Sequence, residues 1–539
     1  MRLPCPPRRV WIVTLATVVL TTLPYLVGAS SAPPGTTFSG AILDLPDYNS
    51  HLAKMQQGAR GDWLYQLLFT AEPHQPVLLQ TFYVALGHVV RWSGLSLDVV
   101  YQLARVVCTM LMVWAVWAFM AHFLPDKVAW WALLLCLFGG GMGYLLFWFA
   151  PNMTANVSPI EFWLLDAYTF LAAFASPHLA AGIALLALAC LSLDRWTSRS
   201  EPGSVRARHA LPLLTLFLSL LAVALVQPFD LLLLDGILIA AVARGILRRQ
   251  MSPVKALAGL ALIGISHMAI VGYDWIVLSQ YPVWQSFAAQ NVTLSPPPVY
   301  YLLGYAPILL PALGGIVLAL RRRAGLLFVP ICWILGVAAL VYAPLATQRR
   351  FVLGVLVPMA ALAVYWLANV ALPWLRDRLR RRYRLVLVVY GAVATLTTIT
   401  LLAWLLVTTR STLNPDLYIP DEDRAAWNWI ADHAPVDSVV LAAFTDGGNL
   451  AARTGRWTVL GHWIETTDYS RKKEDVRRFF SVEADDAWRL SFLRAQHVAY
   501  VWYGAEEQRL GDWSPATASF LRPVFETSTV RVFRFEGVS

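Results

Sequence analysis

DLPDYNSHLAKMQQGARGDWLY, residues 44–65, places Asp44, Asp47, His51, Lys54, Arg60 and Asp62 in one short segment flanked by strongly apolar ones. The surroundings give this polarity its meaning. The chain has 539 residues, of which 58% are hydrophobic and 14% charged, and its mean hydropathy is +0.56. Soluble domains carry about 25% charged and roughly 45–50% apolar residues. Most of this chain is therefore expected to span a membrane, with room for one soluble domain. Residues 44–65 then form the loop that follows the first crossing.

A crossing helix needs about 20 largely apolar residues. That criterion predicts eleven spans, at approximately 10–28, 98–122, 128–150, 167–193, 211–227, 229–247, 256–278, 299–320, 325–345, 351–373 and 385–409. The first follows Arg8-Arg9 and precedes GASSA, as a signal peptide would, but its length fits a retained helix. With the N-terminus in the cytoplasm, the inner loops hold Lys127; Arg195, Arg199, Arg206 and Arg208; Arg244, Arg248, Arg249 and Lys255; Arg321–Arg323; and the run RDRLRRRYR at 376–384. With the N-terminal arginines, 21 basic residues lie inside and six outside: Lys54, Arg60, Arg91, Arg349, Arg350 and Arg410. This asymmetry follows the positive-inside rule. It predicts an integral protein of the plasma (inner) membrane whose residues 411–539 are extracytoplasmic.

The formal charge of +9 does not indicate nucleic-acid binding. Residues 1–410 are net +14 and residues 411–539 net −5, so the basic excess belongs to the membrane part and reports topology. Five cysteines are present, none of them in 411–539, so the tail holds no disulfide; no Cys/His cluster has metal-site spacing. The expected domains are 1–410, with a long first outer loop at 29–97, and a soluble 411–539. In the loop, Tyr48, Leu52 and Met55 recur at helical spacing, which predicts an amphipathic helix at the interface. VLLQTFYVALGHVV at 77–90 predicts a second one; as a crossing it would invert every later loop. In the tail, SVVLAAF, HVAYVWY and TVRVFRF read as strands, and 421–433, 469–480 and 484–496 as helices.

Several groups of residues are able to carry chemistry. Asp47 follows Pro46 and begins a helical pattern that Gly58 can end, so it is either an N-cap or a functional acid. Asp62 reads as a surface turn. Glu161, Asp166, Asp230 and Asp274 share the outer ends of later spans, which suggests a polar cavity opening outward. For His178 in SPHLAAG, and for Asp235, an interhelical hydrogen bond is the simpler account. Arg349 and Arg350 in ATQRRFVLG are outside against the local charge bias, either as snorkelling anchors or as a fork for a phosphate. GGGMG at 139–143 reads as close helix packing. Sequons begin at Asn152, Asn156 and Asn291. TGRWTVLGHWIETTDYSRKK at 454–473, with His462, Glu465, Thr466 and Lys472, reads as solvated surface, or as a face of the cavity.

The layout as a whole resembles the C-type (GT-C) membrane glycosyltransferases, among them the protein O-mannosyltransferases and the aminoarabinose transferases. The resemblance rests on Asp47-Tyr48-Asn49-Ser50-His51-Leu52-Ala53 followed by GDWLY, on Glu161, on Pro177-His178, on RRF at 349–351 and on the outer tail. Tyr48 stands where relatives have a second acid and His51 where they have Tyr, which leaves acceptor and metal requirement open. The resemblance implies a GT-C-like polytopic helical fold with a C-terminal α/β domain. It also implies transfer, with inversion, of a sugar from a polyprenyl-phosphate donor to a glycan, lipid or protein acceptor at the outer face. On that reading Asp47 and Glu161 are the catalytic acids, and Asp44, His51, His178, Arg349 and Arg350 bind substrate. A divalent cation is left open. The alternatives are a flippase of a lipid-linked sugar, a catalytically degenerate relative, and a membrane sensor. The acids cluster at one level and the halves show no repeat, which favours an enzyme over a transporter.

Overall fold

The computed structural model describes residues 7–154, 157–198, 207–410 and 417–537. Arg199, Arg206, Cys5 and the sequon at Asn156 lie outside the described residues. The chain divides into two compact units. One comprises 1–24, 103–272 and 292–407; the other comprises 25–102, 273–291 and 408–539. These bounds differ from the expected division at residue 410, because the first loop packs with the tail.

The first unit is helical. Among the described residues, six helices are long and apolar enough to cross a membrane: Arg8–Ser30, Leu97–Phe123, Pro177–Thr197, Pro253–Gln280, Pro298–Arg321 and the continuous run Gln348–Thr408. Ala210–Val226 and Gly325–Leu340 are shorter apolar helices. The difference from eleven has local causes. The span expected at 128–150 stops at Phe138, where GGGMG begins, and helix resumes only at Leu145–Phe149. The span expected at 167–193 breaks at Ser176-Pro177 into Thr169–Ala175 and Pro177–Thr197, as proline disfavours helix in the residue before it. The two last expected spans fall within one run. Asp230–Leu247 is apolar overall but carries three charged residues, Asp230, Asp235 and Arg244. Asp235 meets His267 of Pro253–Gln280 at 3.3 Å, the interhelical contact expected of it.

Small residues set the packing of this unit, as in membrane bundles generally. A Cβ on Gly141 would fall on the backbone of Gly304, and one on Gly140 would lie 2.9 Å from Thr397 Cβ. The glycine run thus packs closely, as its composition predicts.

The second unit is α/β. Its elements are β1 (Thr36–Phe38), α1 (Leu45–Arg60), α2 (Thr81–Ser93), β2 (Tyr418–Pro420), α3 (Asp421–His433), β3 (Val439–Leu441), α4 (Phe444–Thr454), β4 (Trp457–Thr458), α5 (Tyr469–Phe480), α6 (Asp486–Ala495), β5 (Val498–Tyr503), β6 (Leu521–Glu526) and β7 (Arg531–Phe535). Five strands form a sheet in the order β4-β3-β5-β7-β6. The β4–β3 and β3–β5 pairs are parallel, and β5–β7 and β7–β6 antiparallel. Strand residues alternate between two cores. Val439, Leu441 and Phe533 meet Phe479, Phe480 and Phe492 from α5 and α6; Val440, Trp502 and Val532 meet Trp427, Ile430 and Leu450 from α3 and α4. The three predicted strands and three predicted helices are all present.

The first loop joins this unit in two ways. β1 pairs antiparallel with β2. Tyr48, Leu52 and Met55 on α1 are buried against Tyr83, Tyr101 and Ala452, so the face expected at a lipid interface packs on protein instead. Helix α2 has 13 residues, too few to cross. Where α1 and α2 meet, a Cβ on Gly58 would fall on the Val84 carbonyl, and one on Gly87 on the Met55 carbonyl. Gly58 is thus a point of close approach rather than a helix end. α1 ends at Gly61, whose φ of 112° lies in the left-handed region.

Candidate functional site

Helix α1 begins with Asp44 at its N-cap, at φ 54° and without a side-chain capping bond. Asp47 lies in the first turn. Its Oδ1 is 2.9 Å from His462 Nε2. The other ring nitrogen, Nδ1, accepts the backbone N–H groups of Ile464 (3.2 Å) and Glu465 (3.3 Å). An acceptor Nδ1 leaves the proton on Nε2, so the hydrogen-bond network assigns His462 as the donor to Asp47. His462 is 3% exposed and Asp47 45% exposed. The pair is thus a carboxylate with one side fastened to the interior and the other side open. Its recessed position acts to push the Asp47 carboxyl up, but the His462 hydrogen bond, with the electrostatic influence of His462 and His51 and a contact from Asp44, outweighs this. The net direction is well below the ordinary carboxylate range, so Asp47 is ionised at neutral pH.

The loop that carries His462 is gripped by the same helix two turns on. Lys54 Nζ meets Glu465 Oε1 at 2.8 Å, with both side chains almost fully buried. Ser50 Oγ donates to the same oxygen at 2.6 Å, and Tyr65 OH donates to Glu465 Oε2. Burial acts to raise the Glu465 carboxyl, but Lys54 and these hydrogen bonds outweigh it and hold it low. Thr466 Oγ1 donates to the Phe69 carbonyl at 2.8 Å, and Lys472 pairs with Glu72 at 2.5 Å. The segment 454–473 is therefore not solvated surface around these four residues; all four are buried, and each has a partner in the first loop. Nothing in the local pattern signals this, since the partners lie some 400 positions away.

The remaining expected residues of this unit sit nearby. His51 is buried, stacked on Tyr83 at a ring separation of 3.9 Å and 10° between planes. Asp44 is exposed, and Asp62 lies in the expected surface turn, 3.8 Å from Arg60.

The other expected residues belong to the first unit. Glu161 lies in the 3₁₀ turn Ile160–Phe162, is 1% exposed, and accepts the Gly143 N–H at 2.6 Å. GGGMG, read from sequence as packing alone, thus also seats an acid. Burial pushes the Glu161 carboxyl up to about 7 against the opposing backbone hydrogen bonds. The next turn, Leu165–Ala167, carries Asp166 and packs on Gln348–Val352, which carries Arg349 and Arg350. Arg349 lies over the Trp163 ring at 5.2 Å, and Arg350 over Phe229 at 5.1 Å, beside Asp230. His178 stands in the first turn of Pro177–Thr197, at the proline break. Aromatic seating of this kind orients guanidinium groups. Among the described residues, no group of three His, Cys, Asp or Glu side chains is placed to hold a metal ion.

No protein-family model matches this chain, and no curated protein matches it in sequence. Solved structures do match. ArnT from Cupriavidus metallidurans in the apo state is 11% identical, covers 97% of both chains and gives a TM-score of 0.54. The same protein bound to undecaprenyl phosphate is 11% identical, covers 96% of this chain and 98% of its own, and gives 0.51. Arabinofuranosyltransferase AftD from Mycobacteria is 15% identical with a TM-score of 0.52; the match takes in 98% of this chain and 40% of that one. The fold is that of the GT-C membrane glycosyltransferases.

Proposed function

We propose that this protein is a glycosyltransferase that moves a sugar from a polyprenyl-phosphate donor to a hydroxyl acceptor at the extracytoplasmic face, with inversion. The observation that carries the reading is the Asp47–His462 pair: an open, ionised carboxylate whose back is fixed by a buried donor. Asp47 takes the acceptor O–H proton as the new bond to the anomeric carbon forms. The bond from that carbon to the phosphate oxygen breaks, and its electron pair leaves with polyprenyl phosphate. In the first unit, Arg350 with Arg349 is the proposed binding group for the donor's phosphate. Glu161 shapes its own turn through Gly143, while Asp44, His51 and His178 contribute to substrate binding. The donor class is supported by the likeness to ArnT, which was solved with undecaprenyl phosphate. The orientation is supported by the charge asymmetry of the loops.

The test uses purified protein in lipid, a panel of polyprenyl-phosphate sugars, and release of free polyprenyl phosphate as the readout. One donor is expected to be turned over, and Asp47→Asn to slow that turnover by about 10²–10⁴-fold, the usual contribution of a positioned base. Full turnover by a normally expressed Asp47→Asn protein would remove Asp47 from the mechanism. Absence of release from every donor would count against the transferase itself.

A further inference from the structure

A concavity lies within the first unit, on the face that carries the arginine-rich loops. It has a volume of ≈ 270 Å³ and is lined by residues from the C-terminal ends of Pro177–Thr197 and Asp230–Leu247 and from the turn after Pro298–Arg321. Arg244, Arg248 and Arg323 share its wall with Asp194, Gln250 and Gly325. Arg244 is fixed over the Phe328 ring at 4.5 Å. Arg323 sits at φ 52°, in the left-handed region that L side chains seldom adopt.

The guanidinium groups converge where a side chain is missing. A Cβ on Gly325 would lie 2.6 Å from Arg244 Nη2 and 3.4 Å from Arg248 Nη1. Asp194 is the acid on this wall, and its Oδ2 is 2.9 Å from His122 Nε2. Among the described residues, no ion pair engages Arg244, Arg248 or Arg323. Topology alone requires basic residues dispersed along inner loops. It does not require several to share one concavity against their mutual repulsion. Two guanidiniums aimed at a common point match the geometry of a phosphate group.

We infer that this cavity binds a phosphate group, supplied by the headgroup of an anionic phospholipid. The apolar surface here favours the lipid over free phosphate: Leu326 lines the cavity and is exposed, and Leu247, next to Arg248 in the chain, is 83% exposed. A soluble anion has no use for such surfaces, whereas acyl chains do.

The experiment compares full-length wild type with three variants in neutral-lipid nanodiscs. Each receives phosphatidylglycerol or, in a separate arm, inorganic phosphate; bound lipid is counted by native mass spectrometry and protection by thermal melting. Arg244→Gln with Arg248→Gln is expected to weaken phosphatidylglycerol binding about thirtyfold, from the loss of two charges near the surface. Arg380→Gln with Arg381→Gln removes equal charge from the same face outside the cavity and is expected to leave binding unchanged. Gly325→Leu keeps every charge but fills the cradle, and it too is expected to lose binding, which guards against a double variant that fails to fold. Equal protection by inorganic phosphate would keep the phosphate site and overturn the lipid assignment. Unchanged binding in Gly325→Leu, or equal loss in the Arg380/Arg381 pair, would overturn the site.

Discussion

His462 fixes the ionisation of Asp47 from behind, and this has a directional consequence. Removing its Nε2–H leaves the recessed carboxylate without its main counterweight, so the Asp47 pKa must rise. In His462→Leu, which has no donor, the acid limb of the pH–rate profile is expected to move to higher pH, with turnover lost at pH 6 before pH 8. A uniform loss across pH would show that His462 merely supports the loop. Glu161 provides the opposite case. Its folded value is raised from 4.5 to about 7 by burial, so its contribution to stability is full below pH 4.5 and is lost as pH rises toward 7. The difference amounts to about 3 kcal/mol. Glu161→Gln is expected to flatten the dependence of melting temperature on pH across this window; an unchanged slope would place the titration elsewhere. At this scale the sequence showed Asp47 as an acid worth attention but left the N-cap open, because a cap and a catalytic acid share the first turn. Geometry separates them: Asp44 occupies the cap and Asp47 faces His462.

Between elements, two contacts invite opposite tests. The Lys54–Glu465 pair is buried, and breaking such a pair from one side costs about 3–5 kcal/mol, because the other charge is left stranded. Lys54→Met is expected to lower the melting temperature strongly, and Lys54→Met with Glu465→Met to recover part of the loss. Additive losses would show that the two side chains act separately. Where α1 meets α2, Gly58→Ala gains about 1 kcal/mol in helix propensity, yet its methyl group falls on the Val84 carbonyl. Overpacking against backbone costs about 1–3 kcal/mol, so net destabilisation is expected, and a stabilised variant would contradict the crossing. Elements were legible where pattern was local. β3, β5 and β7 follow from β-branched and aromatic runs. β6 did not, since Pro523 interrupts it, a residue tolerated on the edge strand it forms. α4 was hidden by Gly447-Gly448, which depress helix propensity.

Across the molecule, hydrophobicity conveyed a membrane protein with a mixed α/β tail, and the layout conveyed the GT-C fold. What it did not convey was that the first loop and the tail form one compact unit, because pairings such as Asn49–Asn449 and Ser50–Glu465 leave no trace in either segment alone. A chain ending at residue 410 is accordingly expected to lose protease resistance between residues 29 and 97, a region that stays protected at full length. The pairing also sets a schedule. Asp47 and His462 are 415 positions apart, and at 5–20 residues per second the ribosome needs roughly 20–80 s to travel between them. Throughout that interval the nascent loop carries its acid, its lysine and the apolar face of α1 without their partners. A chain ended before residue 462 would therefore carry Asp47 without its histidine, so competence would arrive only late in translation.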